Sequence, residues 1–241
     1  MPEVIGRLPM VVGDMDVMLP SLSAQMVLRQ KSAFAVQHLM AAARFSRMCG
    51  EIEITNSGKP LGNFFDEEIA CVSATVMLAT ASMESNINEY FSDTEASFPE
   101  LSESLRECAF GLIEKKSILE KYQYALTFKG KSKIPTGEQP YQDAKALIRL
   151  RNALVHFKPE WHDEQDEHKK IEKQLVGKFE INPFIGEDSV FFPQQCISYG
   201  CTQWAVNSAL RFMEKFSELS GLPFRFRQFI DRLNPTVSGN A

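Results

Sequence analysis

The longest uninterrupted helical pattern of the chain covers residues 65–91 and reads FDEEIACVSATVMLATASMESNINEYF. Three consecutive acids, residues 66–68, stand in its first turn, where negative charge suits the positive end of the helix dipole. Residues 69–83 carry no charged side chain, and apolar residues such as Val76 and Ile87 form a stripe along one face. We therefore predict a long helix that lies in the protein core.

Helical patterns of the same kind flank this segment and make up most of the chain. They cover residues 22–48, 99–128, 141–158, 163–178 and 194–220. Residues 51–64 alternate briefly between polar and apolar side chains and then turn, which predicts a loop or a short hairpin insertion. About five to seven helices with short connections predict an all-α helical bundle.

The boundaries of these patterns predict one domain. We assign residues 22–232 to a single helical-bundle domain, residues 1–21 to an N-terminal extension and residues 233–241 to a disordered tail. A chain of 241 residues is long enough to bury a substantial core within one domain.

Composition and missing motifs limit the classes of function. The net charge of −5 argues against a general high-affinity binder of polyanions, although it is compatible with a local basic cleft. The sequence contains no Gly-rich phosphate loop and no nucleophile elbow, which removes the common NTPase and hydrolase classes. No stretch reaches the ~18 apolar residues of a membrane span, and residues 1–20 do not follow the pattern of a secretory signal. We expect a cytoplasmic protein without a membrane association.

The cysteine pattern and the histidines near residue 165 bear on metal binding. The five cysteines are an odd number without C-x-x-C spacing, so we expect reduced thiols with neither a disulfide framework nor a zinc site. His162 and His168 stand among four acids in residues 163–167. We interpret this segment as the exposed, charged start of a helix, and we expect neither a metal nor another cofactor.

Polar side chains cross the otherwise apolar helix predicted for residues 141–158. At about 100° per residue, Lys145, Arg149, Asn152 and His156 fall together on one narrow face, since spacings of three, four and seven residues superpose. The same projection predicts a polar strip along a helix whose other residues are mainly apolar.

Arg151 falls outside that strip, between Leu147 and Val155 in the apolar arc. An unpaired guanidinium in apolar surroundings costs much desolvation free energy, so it requires a partner. Glu84 is the first charged residue after the uncharged stretch 69–83. We therefore predict that Glu84 and Arg151 pair across the interface of their two helices.

The stretch from Arg151 to His156, which reads RNALVH, resembles the Arg-x4-6-His signature of the HEPN superfamily. Members of this family are helical bundles, and many are ribonucleases. The likeness covers about residues 65–160, because the helix that carries Glu84, the pattern 99–128 and the motif near the end of a later helix follow the family's order. Family toxins paired with nucleotidyltransferases often carry a Tyr two residues after the His, where this chain has Lys158.

The resemblance implies a metal-independent endoribonuclease in which the 2′-hydroxyl attacks phosphorus and leaves 2′,3′-cyclic phosphate and 5′-hydroxyl ends. His156 would transfer protons, because an imidazole titrates near neutral pH. Arg151 would stabilise the phosphorane, and Asn152 would hydrogen-bond the imidazole or the phosphate. Glu84 and Arg149 would support these residues. One imidazole does not easily make both proton transfers, so the resemblance also implies a homodimer, with a toxin or anti-phage role and an antitoxin or sensor as a further partner.

Basic and aromatic residues outside the motif leave alternatives open. Lys129, Lys131 and Lys133 precede the motif helix, where together with Lys145 they either bind RNA or belong to a solvated surface. Trp161 is expected in the core or at an interface. A second function class also stands beside the ribonuclease: a non-catalytic HEPN-like helical module for dimerisation or for RNA or nucleotide binding.

Overall fold

The structure is a computed structural model that describes residues 32–161, 166–186 and 188–237. In these ranges the secondary structure is helical without a β-strand, which confirms the predicted all-α class. A compact unit begins at Phe34. The predicted extension 1–21 and the first part of the predicted helix 22–48 lie outside the described residues, as do residues 238–241.

In the part of the chain that the structure describes, eight α-helices and two helical segments of other types follow one another. The α-helices are α1 (Ala35–Asn56), α2 (Phe64–Phe91), α3 (Thr94–Ser97), α4 (Glu103–Ile113), α5 (Ile118–Phe128), α6 (Tyr141–Val155), α7 (Asp166–Leu175) and α8 (Tyr199–Ser220). A π-helical turn covers Phe191–Gln195, and a 3-10 helix covers Arg227–Leu233. The bundle is therefore divided into more pieces than the five to seven helices predicted.

Helix α2 is the centre of the bundle, as its uncharged stretch predicts. It packs against α1, α8, α6 and α5, and its stripe residues Val76, Met83 and Ile87 are fully buried. Buried hydroxyls in this core have acceptors on neighbouring helices: the Ser82 hydroxyl donates to the Ala35 carbonyl at 2.7 Å, and the Tyr122 hydroxyl donates to the Met83 carbonyl at 2.8 Å. Satisfied hydroxyls allow Ser and Thr to take core positions in this helix.

The prediction of a loop or short hairpin at residues 51–64 is wrong for residues 51–56, because α1 continues to Asn56. Gly50 suggests a helix end by its residue type, yet here it lies inside α1. A Cβ at this position would lie 2.5 Å from the Val237 side chain and 2.8 Å from the Tyr199 ring, so close packing explains the glycine. Only residues 57–63 form the turn into α2.

The predicted helix 99–128 is broken into α4 and α5. The break ends at Ser117, whose backbone N–H and hydroxyl both donate to Glu120 Oε2, at 2.9 Å and 2.6 Å. The order Ser-x-x-Glu is a known start signal for a helix, so the break had a signature in the sequence.

The C-terminal segment also differs from the prediction. Residues 233–237, assigned to a disordered tail, pack on α1 and α8. The Arg47 guanidinium donates to the Asn234 carbonyl at 2.6 Å, and the Ser46 hydroxyl donates to the Pro235 carbonyl at 3.2 Å. The Val237 N–H donates to the Tyr199 hydroxyl at 2.8 Å. These hydrogen bonds join residues far apart in sequence, so local composition did not reveal them.

Candidate functional site

Helix α6 carries the predicted polar strip. Lys145, Asn152 and His156 are exposed and Arg149 is half-buried, while Leu147 and Leu150 on the other side are buried. These leucines belong to the side of α6 that packs against α2 and α8. Packing of the apolar side thus leaves the polar strip at the surface, as the 100° projection predicts.

His156 ends this helix. The helix stops at Val155 rather than at residue 158, and His156 is its C-cap, with its backbone N–H donating to the Asn152 carbonyl at 2.9 Å. The imidazole is exposed and makes no hydrogen bond or ion pair with any residue that the structure describes. It is therefore accessible to a molecule in solution.

Arg151 does not pair with Glu84, so that prediction is wrong. Both side chains are half-buried, and no ion pair joins them. The physical reason is that neighbouring elements cover a narrower side of α6 than the arc of its apolar residues suggests. Val155 is 46% exposed and Arg151 is half-buried, so Arg151 lies at the edge of the core.

The guanidinium of Arg151 nevertheless contains an unsatisfied donor. Its Nε is buried and has no hydrogen-bond acceptor within the described part of the chain. A buried donor without a partner is uncommon in proteins and costs about 1–3 kcal/mol. The Arg151 guanidinium therefore has no anionic partner among the described residues. In the sequence it precedes the exposed His156 by five residues.

The lysines predicted to bind RNA occupy different environments. Lys129 Nζ lies 2.6 Å from Glu100 Oε1, and the lysine side chain is only 12% exposed. The Glu100 carboxylate offsets the charge of Lys129, so we do not propose Lys129 as an RNA contact. Lys131 and Lys133 are exposed in the loop before α6, and Lys145 is exposed on α6 itself.

The segment after the motif is held against α7. Both carboxylate oxygens of Glu160 accept N–H groups at the start of α7, from Glu167 and His168, each at 3.1 Å. His168 is buried, in contrast to the predicted exposed helix start. Its Nε2 lies 3.0 Å from the Lys158 carbonyl, which only accepts, so this nitrogen carries a proton. The Phe157 ring stacks on the His168 ring at 5.5 Å. His162 lies outside the described residues.

A second group of polar side chains lies inside the bundle, between α1 and α2. Cys49 and Glu53 of α1 and Glu68 of α2 bring one sulfur or oxygen atom each to within 4.8 Å of one another. We name these three residues the Cys49 cluster. Sequence reasoning missed it because residues 51–64 were assigned to an insertion, although the i, i+4 spacing of Cys49 and Glu53 was the available signal.

Each carboxylate of the Cys49 cluster is oriented by an N–H group. Glu68 Oε1 accepts from the Asn182 amide at 2.9 Å, and Glu53 Oε1 accepts from the backbone N–H of Tyr199, the first residue of α8, at 2.6 Å. Glu68 Oε2 is buried and has no hydrogen-bond donor among the described residues. One oxygen of each carboxylate is thus anchored, while Oε2 of Glu68 stays unsatisfied.

The acid–base properties of the cluster follow from its burial. Burial, together with the neighbouring Glu53 carboxyl, raises the pKa of Glu68 to about 8. Burial also raises the pKa of Glu53, and the N–H of Tyr199 opposes that rise. Burial and the charges of both glutamates raise the pKa of the Cys49 thiol far above its ordinary range. At neutral pH the thiol and the Glu68 carboxyl therefore hold protons, and Glu53 is the favoured site of the negative charge.

No family model, no curated protein and no solved structure matches the chain. In the described ranges, no helix combines the length and the apolar character needed to cross a membrane.

Proposed function

We propose that the chain is a metal-independent endoribonuclease of the HEPN type that cleaves RNA through attack of the 2′-hydroxyl. The observation that carries the proposal is that the C-terminal end of α6 bears both an exposed imidazole and, five residues earlier, a guanidinium without a partner among the described residues. His156 and Arg151 provide these groups. A toxin or anti-phage role, with an antitoxin or sensor as a partner, belongs to the same proposal.

The environment of Arg151 supports a phosphate ligand. An arginine with a purely structural role at the edge of a core usually pairs with a nearby carboxylate. Arg151 forms no such ion pair with Glu84. A phosphodiester that approaches the end of α6 offers acceptor oxygens in the fork geometry of a guanidinium. Binding would then place an anion beside a guanidinium that has no ion pair among the described residues.

The position of His156 supports proton transfer to RNA. An exposed imidazole at a helix C-cap can approach a ribose hydroxyl without a change in the fold, and the exposed Asn152 lies one turn earlier on the same strip. Cyclising cleavage removes one proton and supplies another. Because each chain places one imidazole at this site, two copies are required to share one cleft.

The surface around His156 supports association through this end of α6. Val155 and Phe157, its two neighbours in sequence, are 46% and 45% exposed, and Trp161 is 79% exposed. Three exposed apolar side chains within one short segment favour a protein contact surface. The lysines that remain as RNA contacts are Lys131, Lys133 and Lys145, with the half-buried Arg149 on the strip.

The test is cleavage of end-labelled RNA by purified protein in EDTA. We expect products with 2′,3′-cyclic phosphate and 5′-hydroxyl ends from the wild type, and none from His156→Ala. The matched control is His38→Ala, because His38 lies on α1, where its ring contacts Ser85. Cleavage that persists in His156→Ala, or that requires Mg²⁺, would exclude the mechanism. RNA binding without cleavage would instead support the non-catalytic module.

A further inference from the structure

We propose that Cys49, Glu53 and Glu68 form a structural binding site for a divalent transition-metal ion of the zinc class. Three residue types that ligate metals bring their donor atoms to within 4.8 Å of one another. Cys49 and Glu68 are completely buried. The site is separate from the α6 strip and does not depend on the proposed ribonuclease activity.

The unsatisfied oxygen of Glu68 points to a ligand. Glu68 Oε2 is buried and receives no hydrogen bond from an N–H group or a hydroxyl of the described residues, and a hydrogen bond between the Glu68 and Glu53 carboxyls requires a proton on one of them. Within the cluster, Oε2 can be satisfied in two ways: by a proton shared with Glu53, or by a cation. A cation also binds the Cys49 sulfur, which otherwise interacts with the Thr202 side chain, whereas a shared proton joins only the two carboxyls.

The hydrogen bonds around the cluster resemble the outer shell of a metal site. Asn182 holds Oε1 of Glu68 at 2.9 Å, and the Tyr199 N–H holds Oε1 of Glu53 at 2.6 Å. Donors of this kind fix the direction of a ligating carboxylate and leave its second oxygen for the ion. Asn182 is itself buried and held by a backbone hydrogen bond from its N–H to the Gln195 carbonyl at 2.8 Å.

The donor set selects the class of ion. Thiolate sulfur is a soft ligand that Mg²⁺ and Ca²⁺ do not prefer, while Zn²⁺ accepts sulfur together with carboxylate oxygen. Bonds of about 2.0–2.3 Å around a tetrahedral ion place its ligand atoms roughly 3–4 Å apart. The present separations are within 4.8 Å, so ligand atoms need to approach one another by no more than about 2 Å. Water can supply a fourth ligand on the side of the half-buried Glu53.

The charge of the site is compatible with a divalent ion. Binding forms one metal–sulfur bond and two metal–oxygen bonds, and the Cys49 thiol and the Glu68 carboxyl release their protons to solvent. Three negative ligands and a divalent cation leave a net charge of minus one. The metal-free cluster with an ionised Glu53 has the same net charge. The start of α8, whose first N–H contacts Glu53, stabilises this charge in both states.

The first experiment is a titration of the chelator-treated 241-residue chain with Co²⁺, which is a spectroscopic substitute for Zn²⁺. We expect a thiolate-to-cobalt charge-transfer band and the visible bands of a tetrahedral ion, saturating at one ion per chain and disappearing when Zn²⁺ is added. Cys49→Ala should lose the charge-transfer band. Asn182→Ala should keep the band with an affinity lower by ~10–100-fold, as is typical for a lost outer-shell partner.

The matched control is Cys196→Ala, because Cys196 is also fully buried but lies outside the cluster, and this variant should titrate like the wild type. If Cys49→Ala does not fold, X-ray absorption of the zinc-loaded wild type provides the same information, and we expect one sulfur neighbour at about 2.3 Å. Absence of a sulfur neighbour, or a charge-transfer band that survives in Cys49→Ala, would overturn the proposal and leave the cluster as a pair of carboxyls that share a proton.

Discussion

The end of α6 and the Cys49 cluster each contain a buried polar atom without a hydrogen-bond partner among the described residues, but the side chains around the two atoms differ in exposure to water. At the end of α6, the Nε of Arg151 is unsatisfied beside the exposed side chains of Asn152 and His156. In the cluster, Oε2 of Glu68 is unsatisfied beside the fully buried Cys49. The first group is a cation near solvent, and the second is an acid in the core.

This difference separates the expected consequences of mutation. A group beside solvent is satisfied by a molecule that arrives from outside, and removing its neighbours leaves the packing of the fold intact. A group in the core is satisfied only by a proton or a small ion, and removing it changes the stability of the folded state. We therefore expect the α6 strip to determine activity, and the Cys49 cluster to determine stability.

The largest effect is expected at His156. His156→Ala should lower the rate of RNA cleavage by ~10²–10⁴, because a positioned acid–base group is lost. Its melting temperature should equal that of the wild type, since the imidazole is exposed and unbonded within the described residues. Cleavage rate and thermal unfolding measured on the same preparation give both results, and a large loss of stability would remove the contrast between the two regions.

Arg151→Lys should reduce cleavage by a smaller factor than His156→Ala, because the charge is kept while the two-pronged geometry of the guanidinium is lost. The half-buried position at the edge of the core accommodates the lysine. Single-turnover rates at saturating RNA are the measurement. Full activity in Arg151→Lys would mean that the guanidinium does not contact the reacting phosphate.

Glu68→Ala should lower the free energy of unfolding of the metal-free protein by about 1–3 kcal/mol, because Asn182 loses the acceptor of a buried hydrogen bond. Glu84→Ala is the matched control on the same helix, since Glu84 has no ion pair in the described structure. Its effect should lie within about 0.5 kcal/mol. Urea unfolding of both variants in EDTA tests the pair, and a similar effect at both positions would contradict the structure.

A pH dependence of stability is also expected in the metal-free protein. The pKa of Glu68 rises from 4.5 to about 8 on folding, so between these values the folded state holds a proton that the unfolded state lacks. Stability should therefore be greatest at low pH within this window and fall as pH rises towards 8. In Glu68→Gln this fall should be weaker. The measurement is the urea midpoint of the wild type and of Glu68→Gln at pH 5.5 and pH 8. An equal change of midpoint between the two pH values in both proteins would contradict the raised pKa of Glu68.

Parts of the fold and of the candidate site were accessible from sequence because they depend on local periodicity. The uncharged stretch 69–83 predicted the central helix, and α2 is buried as expected. The spacing of Lys145, Asn152 and His156 predicted one polar face, and these side chains share an exposed strip. A helical repeat is a property of neighbouring residues, so no knowledge of the rest of the molecule was needed.

Contacts between elements were decided by the tertiary structure alone. The predicted pair of Glu84 and Arg151 failed because the neighbours of α6 cover a narrower side of that helix than its apolar residues suggest. The Cys49 cluster depends on the position of Glu68 on α2 against α1, and on Asn182 and Tyr199 from more than a hundred residues later. By itself the sequence determined the all-α class, the central helix and the residues of α6 that share a polar face. Only packing determined which faces are covered and which buried acids meet, because those properties depend on distances between segments that are remote in the chain.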